Sequence, residues 1–242
     1  MEKKQLIAAS SIFSAAVIIG VIILSVTWHD NYKMNQTISV TGSAKEIITS
    51  DLGYLRGTIK STGQTAIEAY ENLQRQKPVL LNYLKEQGFP KDSVRFFTVN
   101  SYNREQLDEK GRPTGKILAY YYNQRIEIKS KNVELIRKIS IDISSLIKKG
   151  VDFDVEPPQY FYTNLAGLKI DIQAEAAKDA MQRAQRIAKS TGRILGPLTG
   201  ARMGVLQITP VNSTQVSNYG IHNVTTIKKE ITGVVSATFM IE

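Results

Sequence analysis

Three acidic residues, Asp152, Asp154 and Glu156, alternate along a predicted strand, so their side chains are expected to share one face. Carboxylates on a shared face can bind a hard cation or act as an acid/base set. The surrounding sequence has no glycine-rich ligand loop. A solvated strand face is therefore the favoured interpretation, and a divalent-cation-dependent enzyme that uses this strand is the alternative.

Other catalytic groups are scarce in this sequence. It has no cysteine, which excludes disulfides, thiol nucleophiles and thiolate metal sites, and its two histidines, His29 and His222, are far apart. The serines lie outside any G-x-S-x-G motif, and no phosphate-binding loop or dinucleotide fingerprint occurs. We therefore predict that the protein is not an enzyme and has no catalytic, metal-binding or cofactor-binding residues and no cofactor. His222 is expected to be exposed in a polar loop.

The basic and aromatic residues do not form a nucleic-acid motif. The net charge is +9, but lysine and arginine are spread along the whole chain, so specific nucleic-acid binding is not expected. An adaptor for anionic lipid or cell-wall polymer stays open as a further alternative. Tyr120–Tyr122 with Arg125, and Tyr160–Tyr162, resemble base-stacking platforms. Neighbours on a strand face opposite sides, however, and this favours cross-strand packing.

The N-terminal segment has the pattern of a membrane anchor. Lys3 and Lys4 precede an uncharged run, Leu6 to Trp28, and a helix needs about 20 such residues to cross a bilayer. The lysines favour a cytoplasmic N-terminus, and Trp28 stands where interfacial aromatic residues are common. A cleaved signal peptide is the alternative, although the apolar run is long and Ser25-Val26-Thr27 is a poor cleavage site.

The predicted organisation follows from this anchor. We expect a single-pass signal anchor over residues 1–29, a spacer over 30–36 and one extracytoplasmic domain over 37–242. The protein would reside in the inner (cytoplasmic) membrane with its C-terminal domain on the periplasmic side, and would be secreted if the segment were cleaved.

Strands and helices alternate through residues 37–242. Apolar periodicity predicts strands over 37–49, 54–61, 94–102, 117–130, 151–163, 195–208 and 226–241. Helices are predicted from the N-cap Thr65 to Gly88, with a kink or restart near Gln76 because of Pro78, and over 132–149 and 165–191. This order indicates an α+β fold, with helices packed on one face of a mainly antiparallel sheet.

The last predicted helix is rich in alanine, the residue with the highest helix propensity. Small side chains also let a helix axis approach its neighbour closely. We expect the apolar stripe to lie tightly on a sheet, with a seam between helices of two copies as the alternative. The predicted stripe follows steps of four and three residues, and Ala180 and Ile187 widen it: Ile170, Ala174, Ala177, Met181, Ala184 and Ala188.

The same helix and the first strand carry a family resemblance. Alanines at 176, 180 and 184, then Ile187-Ala188, Gly192 and Leu195-Gly196, resemble the SIMPL-domain family, as does the opening Ile38-Ser-Val40-Thr-Gly42-Ser-Ala44. Leu84 to Gly88 fits as well. The chain departs from the family pattern at Ser50, where the family has proline, and at Pro78.

The resemblance covers residues 37 to 242 and implies an exported or envelope-associated bacterial protein of α+β fold. It implies no agreed catalytic residues, a link of some members to envelope or oxidative stress, and self-assembly. We therefore predict a membrane-anchored protein that acts by forming a homo-oligomer or by binding an envelope partner whose identity the sequence does not give.

Overall fold

The computed structural model describes residues 13–25 and 36–241. The helices are α1 (13–25), α2 (Ala66–Glu86), α3 (Val133–Asp142) and α4 (Leu165–Ser190). The strands are β1 (Thr37–Thr49), β2 (Leu52–Gly63), β3 (Val94–Leu107), β4 (Pro113–Ser130), β5 (Phe153–Val155), β6 (Gln159–Phe161), β7 (Leu195–Met203), β8 (Gln207–Pro210), β9 (Ile221–His222) and β10 (Lys228–Ile241). This content confirms the α+β class.

The strands form two sheets instead of the single sheet that the sequence predicts. In the first sheet β10 lies between β1 on one side and β7 and β8 on the other, and β9 pairs with β8. In the second sheet the order is β3-β4-β2, with β5 and β6 on the far side of β2. Every pairing is antiparallel except β8 with β9. The prediction failed because β1 pairs with the distant β10 along its whole length, not with the neighbouring β2.

Each sheet is covered by helices on one face and has its own core. Helix α4 packs on β1 and β10, whereas α2 and α3 pack on β2 and β4. The second sheet and its helices bury the largest apolar cluster, which includes Leu55, Ile59, Leu73, Ile126 and Ile136. Helices on one face are thus confirmed for each sheet separately.

Local signals in the sequence place the helix ends correctly. The Thr65 hydroxyl accepts from the Glu68 N–H at 3.1 Å, which confirms the predicted N-cap of α2. Gly88, at φ +91°, follows the end of this helix. Pro78 does not interrupt α2, so the predicted restart near Gln76 is wrong. Buried leucines on both sides of Pro78, Leu73 and Leu80, hold the helix on the sheet.

The other predicted elements are confirmed with changes. Residues 132–149 are α3 followed by a 3₁₀ helix, Ile143–Lys149, which ends at Gly150. The predicted strand 151–163 is divided into β5 and β6 by the segment that holds Pro157 and Pro158.

The N-terminal helix α1 exposes its apolar side chains, for example Phe13 and Leu24, whose exposed fractions are 72% and 68%. In the two described segments, no helix is both long enough and apolar enough to cross a membrane. The predicted anchor, Leu6 to Trp28, extends at both ends beyond the described residues. Most of the predicted spacer, 30–36, also lies outside them.

The alanine helix α4 lies on the first sheet, but its buried stripe differs from the predicted one. Ile170 is 69% exposed and Met181 is 41% exposed. The buried residues recur every four positions: Leu168, Ile172, Ala176, Ala180, Ala184 and Ala188. Each step of four residues turns about 40° beyond one full revolution, so the stripe winds right-handedly around the helix. It thereby follows the right-handed twist of the strands below it.

Helix α4 approaches the sheet very closely at Gly42 in β1. A Cβ atom there would lie 2.2 Å from the backbone nitrogen of Ala180 and 2.3 Å from the carbonyl oxygen of Ala176. The backbones of strand and helix are therefore in direct contact, and neither side can move by a change of rotamer. Alanine on the helix and glycine on the strand together allow this distance.

We predict that Gly42→Ala lowers the free energy of unfolding by about 3 kcal/mol, the upper range for an overpacked core. Urea denaturation of the full chain measures the change. Gly200→Ala is the matched control, because no atom lies within 4 Å of its added Cβ, and it should change stability by less than about 0.5 kcal/mol. Equal effects of the two substitutions would contradict the close contact.

The two sheets are joined at Lys229, near the start of β10. Its side chain is buried, and its Nζ donates to the carbonyl oxygen of Tyr160 in β6 at 2.5 Å. Among the described residues no carboxylate forms an ion pair with it. Burial lowers the pKa of this ammonium group from 10.5 to about 8.

We predict that Lys229 makes stability rise with pH above about 8. Between the lowered folded-state pKa and the usual value of 10.5, the unfolded chain binds more protons than the folded chain, so deprotonation favours folding. Urea denaturation between about pH 7 and 9.5, below most tyrosine titration, would show this rise. Lys229→Met should flatten it, whereas the exposed neighbour Lys228→Met should not. A rise that persists in Lys229→Met would assign it to another group.

Candidate functional site

The three predicted carboxylates lie along and beside β5, and two of them are engaged with cations. Asp154 contacts the Lys60 Nζ at 2.6 Å, and Glu156 contacts Arg125 at 3.0 Å. The hydrogen bond that Lys60 donates to Asp154 raises the pKa of Lys60. Within the described segments no group of three histidine, cysteine, aspartate or glutamate side chains could hold a metal ion. The geometry therefore supports the charged strand face and gives no support to a cation site.

These ion pairs belong to the open face of the second sheet. There Arg56 in β2 bonds Glu127 in β4 at 2.7 Å and Gln159 in β6 at 2.8 Å. The guanidinium of Arg56 also lies over the Tyr54 ring, 5.5 Å from its centroid. Because charges of opposite sign alternate across the strands, this face is stable in water without a helix to cover it.

The tyrosine triplets are divided between the two faces of the second sheet, as predicted. Tyr121 and its cross-strand partner Tyr102 stack with ring centroids 4.8 Å apart and planes 5° apart. Tyr122, the next residue, meets Tyr70 of α2 edge-on at 5.9 Å. Tyr160 is buried. The observed contacts confirm cross-strand packing for Tyr121 and give no continuous aromatic platform.

His222 lies in the two-residue strand β9 instead of the polar loop that the sequence predicts, and it is exposed as expected. Partial burial lowers its pKa, and the charges of Lys229 and Lys169 lower it further. These cationic neighbours favour the neutral imidazole. His29, the other histidine, lies outside the described residues.

The predicted hairpin of β3 and β4 is present, and its strands are longer than the sequence indicates. Strands β3 and β4 continue past the last residue of β2, Gly63, which pairs with Tyr120. We call the projecting part, residues 104–119, the arm. The sequence predicts a hairpin with a long tip, in which one strand ends at Tyr102, the other begins at Ile117 and the residues between them form a charged, turn-rich loop. The polar stretch Asn103 to Gln106 hides the strand, because both of its faces meet water.

The arm is ordered by its own hydrogen bonds. At its tip, Asp108 donates its N–H to the Arg112 carbonyl oxygen at 2.9 Å. The Asp108 carboxylate accepts from the N–H groups of Lys110 and Arg112, each at 2.9 Å, and from the Arg112 Nε at 3.0 Å. These bonds lower the pKa of Asp108, the backbone bond from Arg112 having the largest effect. The turn therefore has one defined shape.

The arm exposes apolar side chains that the described chain covers only in part. Leu107 is 57% exposed, Leu118 is 44% exposed and Ile117 is 37% exposed. None of these residues belongs to a hydrophobic cluster of the described domain. Strand β3 is also an edge strand, so its outward backbone groups lack a partner strand within the described residues. Such an edge can pair with a strand of another molecule.

Comparison with known families gives one match. No match to the sequence was found among curated proteins. The model of the SIMPL family, described as "Protein of unknown function (DUF541)", matches residues 38–239. This match spans every strand of both sheets and the helices α2, α3 and α4 that cover them. The chain therefore belongs to the SIMPL family.

Proposed function

We propose that this SIMPL-domain protein is anchored in the membrane, faces the extracytoplasmic side of the bacterial envelope and acts without catalysis, by assembling with further copies of itself. The observation that carries the proposal is the arm, which combines exposed apolar side chains with an unpaired strand edge.

The arm is a poor structure for an isolated monomer. A two-stranded hairpin with no covered face is only marginally stable in water. Burying a leucine or isoleucine side chain contributes about 1.5–3 kcal/mol, and the arm leaves Leu107, Ile117 and Leu118 substantially exposed. A partner that covers these side chains would therefore stabilise the arm itself.

A second copy of the chain is the partner that the charges favour. The chain as a whole is +9, so two copies repel one another over most of their surface. The arm, in contrast, carries both signs: Arg104, Lys110, Arg112 and Lys116 with Glu105, Asp108 and Glu109. Two arms can meet with opposite charges adjacent, and antiparallel pairing of two identical edges gives a symmetric dimer.

The membrane location rests on the N-terminal segment. Helix α1 consists mainly of apolar residues, and nearly all of their side chains are exposed. A hydrocarbon layer would accommodate this helix at far lower free energy than water. Lys3 and Lys4 before it favour retention of the N-terminus in the cytoplasm, which directs residues 36–241 to the other side.

We predict that the full chain in detergent is a discrete multimer whose mass is constant over a range of protein concentrations. Light scattering during size exclusion, corrected for bound detergent, measures this mass. Leu118→Ser should weaken assembly by at least about tenfold, because it removes a buried leucine from the contact. Ile170→Ser is the matched control, since Ile170 is 69% exposed on α4, and it should leave the mass unchanged. A monomer at every concentration, or equal effects of the two variants, would refute assembly through the arm.

We predict that a membrane-impermeant maleimide labels Lys189→Cys in cells whose cytoplasmic membrane is intact. The chain has no cysteine of its own, so each single-cysteine variant reports one position. Lys4→Cys, on the opposite side of the proposed anchor, should react only after lysis. The reverse pattern would place the folded domain in the cytoplasm and would refute the proposed topology.

A further inference from the structure

A cavity of about 630 Å³ lies where β2 runs past the end of β5. Strand β5 pairs with β2 only as far as Ile59, and the Lys60 N–H then bonds the Asp152 carbonyl oxygen at 2.9 Å. From Ser61 onward, no strand of the described chain lies on this side of β2. The volume of the cavity is within the usual range for sites of small ligands.

Side-chain amides of α2 take the place of the missing strand. Gln76 donates to the Lys60 carbonyl oxygen at 2.9 Å and accepts from the Asp152 N–H at 2.8 Å. Asn72 donates to the Thr62 carbonyl oxygen at 2.8 Å. Both backbone groups of a strand residue point to the same side, so the Thr62 N–H is also directed to this edge. It is a fixed donor at the wall of the cavity.

The cavity is positively charged. Lys60, Arg75 and Lys149 line it together with a single acidic residue, Asp152. Lys60 is neutralised by Asp154, at 2.6 Å. In the described part of the chain, neither Arg75 nor Lys149 forms an ion pair, and Arg75 hydrogen-bonds the neutral amide of Asn72. Once Lys60 and Asp154 offset one another, two cations face the one carboxylate Asp152 in the lining, and the cavity keeps an excess of positive charge.

One wall of the cavity is aromatic. The stacked rings of Tyr102 and Tyr121 border it, and Tyr102 is 56% exposed. Flat aromatic surface suits the ring of an organic ligand, whereas the cations suit an oxyanion, which guanidinium groups bind through paired hydrogen bonds.

We propose that this cavity binds a small organic oxyanion, a carboxylate or phosphate ester on a ring-shaped body. The anionic group lies against Arg75, Lys149 and the Thr62 N–H, and the ring packs on Tyr102 and Tyr121. The cavity is a site distinct from the arm, and the cations that carry the argument lie outside residues 104–119. Loss of ligand binding and loss of assembly can therefore be measured separately.

The test uses the full chain in detergent, with calorimetric titration at about 50 mM salt, where screening is weak. Glucuronate, glucose 6-phosphate and neutral glucose are the probes. We expect at least one anionic probe to bind saturably and glucose not to bind. Tighter binding of glucuronate would assign the site to carboxylates, and tighter binding of glucose 6-phosphate would assign it to phosphate esters.

Variants connect the binding to the cavity. Arg75→Gln with Lys149→Gln should weaken binding of the anion by at least about tenfold, because the double variant removes both charge-assisted hydrogen bonds to the anionic group. Arg186→Gln with Lys189→Gln, an exposed pair on α4, is the matched control and should leave binding unchanged. Absence of saturable binding by both anions, equal binding of glucose, or equal loss in the two double variants would overturn the proposal.

Discussion

The direct contact between the backbone of α4 and Gly42 of β1 sets the geometry of the first sheet. This contact holds α4 over β1 and β10, the first and last strands of the folded part, which pair from Thr37 with Met240 to Thr49 with Lys228. A larger residue at position 42 would lift the helix off both strands, because the opposing atoms belong to the helix backbone. The first and last strands of the folded part are thereby neighbours in the sheet. Strands β7 and β8 pair with the other edge of β10. The alanines of α4 are best understood as a means to this close contact.

The two sheets are connected through buried polar groups as well as through the chain itself. Only Ser50 and Asp51 separate β1 from β2. The Ser50 N–H donates to the Ile227 carbonyl oxygen at 2.9 Å, and the Asp51 N–H donates to the Phe161 carbonyl oxygen at 3.0 Å. Lys229 adds the bond to Tyr160 across the same junction. A buried ammonium group without an acidic partner costs stability, and its bond to the Tyr160 carbonyl oxygen holds β6 against β10. In a chain without cysteine, such bonds take the place of a covalent connection between the two cores.

Signals within a few residues could be predicted from the sequence, and long-range pairing could not. The N-cap Thr65 and the glycines that end helices were located correctly because each acts on its own backbone. The division into two sheets depends on which distant strand β1 meets, and apolar alternation does not contain this information. The predicted stripe of α4 differs from the observed one because alanine is equally acceptable on exposed and buried faces. Hydropathy therefore cannot distinguish the exposed Ala177 from the buried Ala176. The order of several weak motifs was more informative, and it indicated the SIMPL family that the family match supports.

Both proposed surfaces arise where one strand extends beyond its neighbour. Strands β3 and β4 continue past Gly63, the end of β2, and leave the arm with an open edge and uncovered apolar side chains. Strand β2 continues past the end of β5 and leaves the cavity, which Asn72 and Gln76 border with amide groups. In the first case the unpaired edge is flanked by apolar residues and mixed charges, which suits a second strand. In the second case it is flanked by Arg75 and Lys149, which suits an anion. Both proposals thus place binding at the ends of strands in the second sheet, because helices cover one face of that sheet and ion pairs join the charged groups of the other.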